Sequence, residues 1–171
     1  MTLRQMLGQK LVFGFHGTEL TPEFIDLLRT YQVGNVILFL RNIESAAQMR
    51  KLCAEIQDLI QRETGLPAFI IIDQEGGMVS RLPADAVNVP CAMALAATGN
   101  PENVRTAAEI TIRQLRGLGA NFNMAPVLDV NNNPRNPVIG IRSFGDDPPA
   151  RGKAGKNFCR CLPGDRYSLL R

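Results

Sequence analysis

A chain of 171 residues, 45% hydrophobic and 20% charged, has the size and composition of one folded domain, which excludes a disordered polar chain. The formal net charge of +3 comes from scattered Lys and Arg residues, so no basic block is present that could follow a nucleic acid backbone. The longest apolar runs are far shorter than the roughly 20 residues that span a bilayer. We therefore expect neither nucleic acid nor a membrane as a partner.

The amino-terminal segment becomes polar within a few residues and lacks the pattern of a secretory signal, which predicts a cytoplasmic protein. The apolar run over residues 10–15 predicts a first strand. An N-cap residue, a proline and an acidic residue follow one another from Thr21, so we predict a helix from there to about Tyr31. The apolar residues 33–40 then predict a buried strand.

The next helix is predicted to begin after Ser45, a residue that can cap it. Its apolar residues recur at helical spacing, and Gly65 is placed to end it. The β-branched run at residues 68–72 predicts the strand that follows.

A cap residue, a proline and an acidic residue recur from Asn100, which predicts a helix that ends before Gly119. Residues 122–130 are predicted to form a further strand. Strands that alternate with helices are typical of an α/β fold with a parallel sheet. The pattern fits either a doubly wound sheet or part of an eight-stranded barrel, and organisation alone does not choose between them.

Two polar loops follow predicted strands directly, at the carboxyl ends where α/β folds bind ligands. The first, residues 73–82, contains two carboxylates, a glycine pair and an arginine. Asp73 can accept hydrogen bonds from hydroxyl groups and the glycines can let a ligand approach the main chain, which suits a sugar. Equally, Asp73 could cap the turn while Arg81 pairs with Glu75, and a phosphate-binding glycine loop is a third reading that no Walker or dinucleotide pattern supports.

The second polar loop runs from Asp129 to Asp147 and could equally be a plain asparagine-rich connection. After Pro148 both helical and strand periodicity are lost, so we predict that residues 149–171 form a divergent, poorly ordered tail. The four cysteines have neither a disulfide framework nor paired metal-ligand spacing, and Cys53 is expected to be a buried helix residue. We expect no metal and no cofactor.

Several motifs occur in one order: Gly8-Gln9-Lys10, residues 33–39 with Arg41-Asn42, residues 73–82, and residues 125–130 through to Arg142-Ser143-Phe144-Gly145-Asp146. Together they resemble the amino-terminal domain of family 3 glycoside hydrolases, and the Asp-Gln-Glu-Gly-Gly form resembles the β-N-acetylhexosaminidase branch. The resemblance implies a (β/α)8 barrel, of which residues 1–148 would supply about the first half, since a complete barrel takes about 250 residues.

The same resemblance implies hydrolysis of terminal β-linked N-acetylhexosamine residues by a retaining mechanism, with an N-acetylhexosaminide as the carbohydrate partner. It implies that Asp73, Arg81 and Arg142 bind the sugar, and that Glu75 has a structural role. Asp129 and Asp146 match family motifs and are assigned to loop architecture.

No catalytic residue of the family can be matched. Family members continue with a Lys-His-Phe-Pro-Gly-His segment and a later nucleophilic aspartate, whereas the only histidine here is His16, expected at a strand end or loop. We therefore expect a truncated or frame-shifted chain that is inactive alone. The alternative is a non-catalytic remnant that binds sugar weakly.

Overall fold

The computed structural model describes residues 1–133, 135–147, 154–156 and 158, and its first part alternates helices with parallel strands. A four-stranded sheet has the order β1-β2-β3-β4. Its strands are, in that order, Val12–Phe13, Asn35–Leu38, Phe69–Ile72 and Phe122–Asn123. The helices α1 to α5 are Leu3–Gly8, Pro22–Tyr31, Ala46–Thr64, Ala92–Ala97 and Pro101–Leu118, and short 3-10 turns lie at Leu40–Asn42 and Gly140–Arg142.

The predicted α/β class is confirmed. Strands β1 and β2 pair in parallel, with Val12 opposite Asn35, and β2 pairs in parallel with β3, with Val36 opposite Ile70. Parallel strands need a crossover connection, which α2 and α3 provide. Such strands are apolar on both faces, and Val36 and Ile70 are almost fully buried.

The chain forms two compact units, and the division falls within α5 and β4. The first unit comprises Met1–Ile72, Arg81–Ala86 and Leu115–Phe122. Its core packs the apolar face of α3 and the strand side chains with parts of α2 and α5. The largest fully buried apolar side chains of this core are Leu28, Leu38, Met49, Leu52, Ile56, Ile60, Ile70 and Ile72.

The second unit comprises Asp73–Ser80, Val87–Gln114 and the described residues from Asn123 onward. It has a smaller core of its own, in which α4 and the first part of α5 contribute most of the side chains. The buried apolar residues are Val89, Ala92, Leu95, Val104, Ala107, Ala108, Phe144 and Phe158. Of the predicted tail, only residues 154–156 and 158 are described, and these are helical. The rest of that prediction lies outside the described residues.

The predicted helix boundaries were accurate where capping residues marked them. The Thr21 side chain accepts a hydrogen bond from the Phe24 backbone N–H, and the Ser45 side chain accepts one from that of Gln48. Gly65 ends α3 in the left-handed conformation, with φ of 77°. Cys53 is buried in α3, as predicted.

Three predicted strands were too long, and two helices were not anticipated. The strand predicted over residues 33–40 covers only Asn35–Leu38. The strand predicted over residues 122–130 ends at Asn123. Pro126 has no backbone N–H to donate to a neighbouring strand, and the nearby Met124 side chain is exposed. The first strand is limited to Val12–Phe13. Helices α1 and α4 have only six residues each, too short for a clear periodic pattern.

Candidate sugar-binding site

The loop after β3 is held in place by main-chain hydrogen bonds at its glycine pair. Gly76 pairs with Val79 in an antiparallel bridge, and the Gly77 N–H donates to the Val89 carbonyl at 2.8 Å. Both glycines have positive φ, 94° for Gly76 and 58° for Gly77. A β-carbon at Gly77 would lie 2.7 Å from the Cys91 Cβ, and one at Gly76 would lie 2.8 Å from the Val89 carbonyl oxygen.

The glycine pair has a packing role that the sequence did not indicate. Because Gly76 and Gly77 have no side chains, they make room for the segment Val89–Cys91. The pair shapes the loop that carries Asp73 and Glu75.

The amide side chain of Asn123 fixes the start of this loop. It accepts a hydrogen bond from the Gln74 backbone N–H at 2.9 Å and donates one to the Gln74 carbonyl at 3.0 Å. Gln74 is fully buried, and the Ser80 hydroxyl donates to its side-chain oxygen. Asp73, the residue before Gln74, is half-buried. Its carboxylate is thus attached to a well-fixed backbone.

Glu75 forms an ion pair with Arg142, which lies 67 residues further along the chain. The Arg142 Nε donates to Glu75 Oε2 at 2.9 Å, and Nη2 donates to Oε1 at 2.7 Å, which is the bidentate geometry that favours arginine. The Glu75 side chain is 10% exposed and that of Arg142 is 27% exposed. The expected structural role of Glu75 thus has a physical form, since both its oxygens bind Arg142.

Three carboxylates, those of Glu75, Asp73 and Asp129, act electrostatically on Arg142. The hydrogen bonds to the Glu75 carboxylate raise the pKa of the Arg142 guanidinium above its usual value. Burial opposes this rise, and the negative charges of Glu75, Asp73 and Asp129 add to it. The structure therefore places Asp73 and Arg142, two of the three predicted sugar-binding residues, within electrostatic reach of each other. Arg81, the third, is half-buried in the first unit.

The loop that carries Arg142 is fixed by the residue after it. Ser143 is fully buried, and its hydroxyl donates a hydrogen bond to the Asp129 carbonyl at 2.6 Å. The Asn131 N–H donates to the Gly145 carbonyl at 3.0 Å. Asp129 itself is exposed and contributes its backbone to the loop, consistent with the architectural role predicted for it.

The remaining sequence predictions concern residues outside this cluster. His16 is exposed in a bend after β1, as predicted. No group of three His, Cys, Asp or Glu side chains that could hold a metal ion occurs among the residues that the structure describes. Within the same part of the chain, no helix has both the length and the apolar composition needed to cross a membrane.

Comparisons with known proteins agree on one family. Residues 2–167 match the model of the glycosyl hydrolase family 3 N terminal domain. The "Beta-hexosaminidase A" of Pseudoalteromonas piscicida is 37% identical over 177 residues, and the match covers 91% of this chain and 29% of that protein.

Solved structures give the same result. A family 3 β-N-acetylglucosaminidase from Paenibacillus sp. str. FPU-7 matches with a TM-score of 0.90 and 43% identity, over 95% of this chain and 31% of that one. NagZ from Neisseria gonorrhoeae, in complex with N-trifluoroacetyl-D-glucosamine, matches with a TM-score of 0.78 and 27% identity, over 89% of this chain and 45% of that one. The chain spans less than half the length of these relatives.

Proposed function

Because the chain belongs to glycosyl hydrolase family 3 and is thereby a partial (β/α)8 barrel of a glycosidase, as the sequence predicted, we propose that it supplies sugar-binding loops of a β-N-acetylhexosaminidase. The reaction of the whole enzyme would release terminal β-linked N-acetylhexosamine with retention, through a glycosyl-enzyme intermediate. The names of the relatives support the substrate, since one is a β-hexosaminidase and another a β-N-acetylglucosaminidase.

The observation that carries the proposal is the Arg142 guanidinium, which Glu75 holds through two hydrogen bonds in the same unit as Asp73. A sugar presents hydroxyl groups that both donate and accept hydrogen bonds. Asp73 can accept from them, and Arg142 can donate to them. Arg81 enters the proposal through its position in the matched motif alone.

We propose that residues other than Glu75 cleave the glycosidic bond. Glu75 binds Arg142 with both carboxylate oxygens and is therefore not a free general acid. We propose that this chain alone binds sugar without hydrolysing it, in agreement with the inactivity expected from the sequence. The cytoplasmic location inferred from the amino-terminal residues is also part of the proposal, and fractionation of the native host would test it.

Two measurements on the purified chain test the proposal. The first is turnover of a chromogenic β-N-acetylglucosaminide, which we expect to be absent. The second is binding of N-acetylglucosamine, which we expect to weaken roughly 10- to 100-fold in Asp73→Ala, as loss of a hydrogen bond to a charged group implies. Turnover that disappears in Asp73→Ala would show that the chain is an active enzyme by itself, and undetectable sugar binding would reject the proposal.

A further inference from the structure

Arg142 has more hydrogen-bond donors than its protein partners use. An arginine side chain has five N–H donors in a rigid plane. Nε and one N–H of Nη2 bind the Glu75 carboxylate, and one N–H of Nη1 donates to the Val138 carbonyl at 3.0 Å. Among the contacts with described residues, one N–H on each terminal nitrogen remains available to a ligand.

Three hydrogen bonds therefore set the orientation of these two available donors. The bidentate contact with Glu75 fixes the plane of the guanidinium group. The contact with the Val138 carbonyl holds the group against the backbone just before the turn Gly140–Arg142. The backbone of this turn is secured by the buried Ser143. A ligand that binds the two donors does not have to immobilise a flexible side chain, which saves the entropy that usually weakens binding by arginine.

We infer that Glu75 is a positioning residue, which orients the Arg142 guanidinium so that its two remaining N–H groups bind oxygen atoms of the sugar. The inference rests on the proposed function. Glu75 does not touch the sugar itself, and its effect on binding passes entirely through Arg142. Loss of that orientation should weaken binding on the order of 10-fold or more, since small misplacements of a binding group have effects of this size.

The test compares three variants of the whole chain with N-acetylglucosamine as the probe, and a fourth, Arg142→Lys, serves only to assign a spectral signal. Glu75→Gln keeps the shape of the side chain and removes its charge. The double variant Glu75→Arg with Arg142→Glu restores an ion pair but moves the guanidinium to the other loop. Glu102→Gln is the matched control, because Glu102 forms an exposed ion pair with Arg105 in the same unit.

Sugar affinity, the melting temperature and the Nε–H signal of Arg142 in 1H–15N spectra are measured for each variant, with the signal assigned from Arg142→Lys. We expect Glu75→Gln to lose the Nε–H signal and about 10-fold in affinity. The double variant should recover melting temperature but not affinity, and Glu102→Gln should match the unmodified chain in both signal and affinity.

Unchanged affinity in Glu75→Gln, or restored affinity in the double variant, would overturn the inference, because either result would make the position of the guanidinium irrelevant to binding. If Glu75→Gln fails to fold, the double variant alone decides the matter. The proposed function fails separately. It is rejected, together with the ligand that the inference names, if the unmodified chain binds no sugar at all.

Discussion

The glycine pair offers a quantitative test of how the loop after β3 is built. In Gly77→Ala the new β-carbon would lie 2.7 Å from Cys91 Cβ and 3.0 Å from the Cys91 backbone nitrogen, at a φ of 58°. The backbone strain costs about 1–2 kcal/mol. The steric overlap adds about 1–3 kcal/mol, because the segment at Cys91 must move. We therefore expect Gly77→Ala to lower the free energy of unfolding by roughly 2–5 kcal/mol.

Gly99 is the matched control for this prediction. It lies in the same unit with a φ of 65°, and an added β-carbon there meets no atom within 4 Å. Gly99→Ala should therefore show the backbone strain alone, about 1–2 kcal/mol. Urea denaturation followed by circular dichroism measures both variants. A Gly77→Ala variant no less stable than Gly99→Ala would refute the view that the loop needs glycine for close packing against Cys91.

Three further predictions concern single side chains. Asn123→Ala removes both hydrogen bonds to the Gln74 backbone, and we expect a loss of about 1–3 kcal/mol in urea denaturation; no loss would show that the loop start is fixed otherwise. Ser45→Ala removes the cap contact with Gln48 and should cost about 1 kcal/mol in the same assay, whereas Ser45→Asn should not. Burial raises the pKa of the Cys53 thiol to about 12, so it should resist iodoacetamide at pH 8.5 until the chain is unfolded, and rapid alkylation in the native state would contradict its burial.

Local signals in the sequence were enough to predict much of the fold. Ser45 and Gly65 bound α3 because a cap side chain and a left-handed glycine act within one turn of the residues they affect. The strand predicted through Val130 was too long. The prediction followed the apolar residues of this segment and made no allowance for Pro126, which has no backbone N–H to donate. Short helices such as α4 leave too few residues for a period to be recognised.

The sequence could name candidate site residues but not their contacts. The motif match selected Asp73 and Arg142, and the structure places them within electrostatic reach. The pairing of Arg142 with Glu75 could not be predicted, since it joins residues 67 positions apart and depends on the tertiary structure. The only sequence signal for Glu75 was its place in the motif that also contains Asp73. Its contact with Arg142 was identified from the distances between the two side chains.

Sugar binding by the loops that carry Asp73 and Arg142 can be tested directly by titrating the 15N-labelled chain with N-acetylglucosamine and following its backbone amide signals. We expect shifts concentrated at residues 73–77 and 140–145, the loops that carry Asp73 and Arg142, and their loss in Asp73→Ala. Shifts elsewhere, or the same shifts in Asp73→Ala as in the unmodified chain, would contradict this expectation.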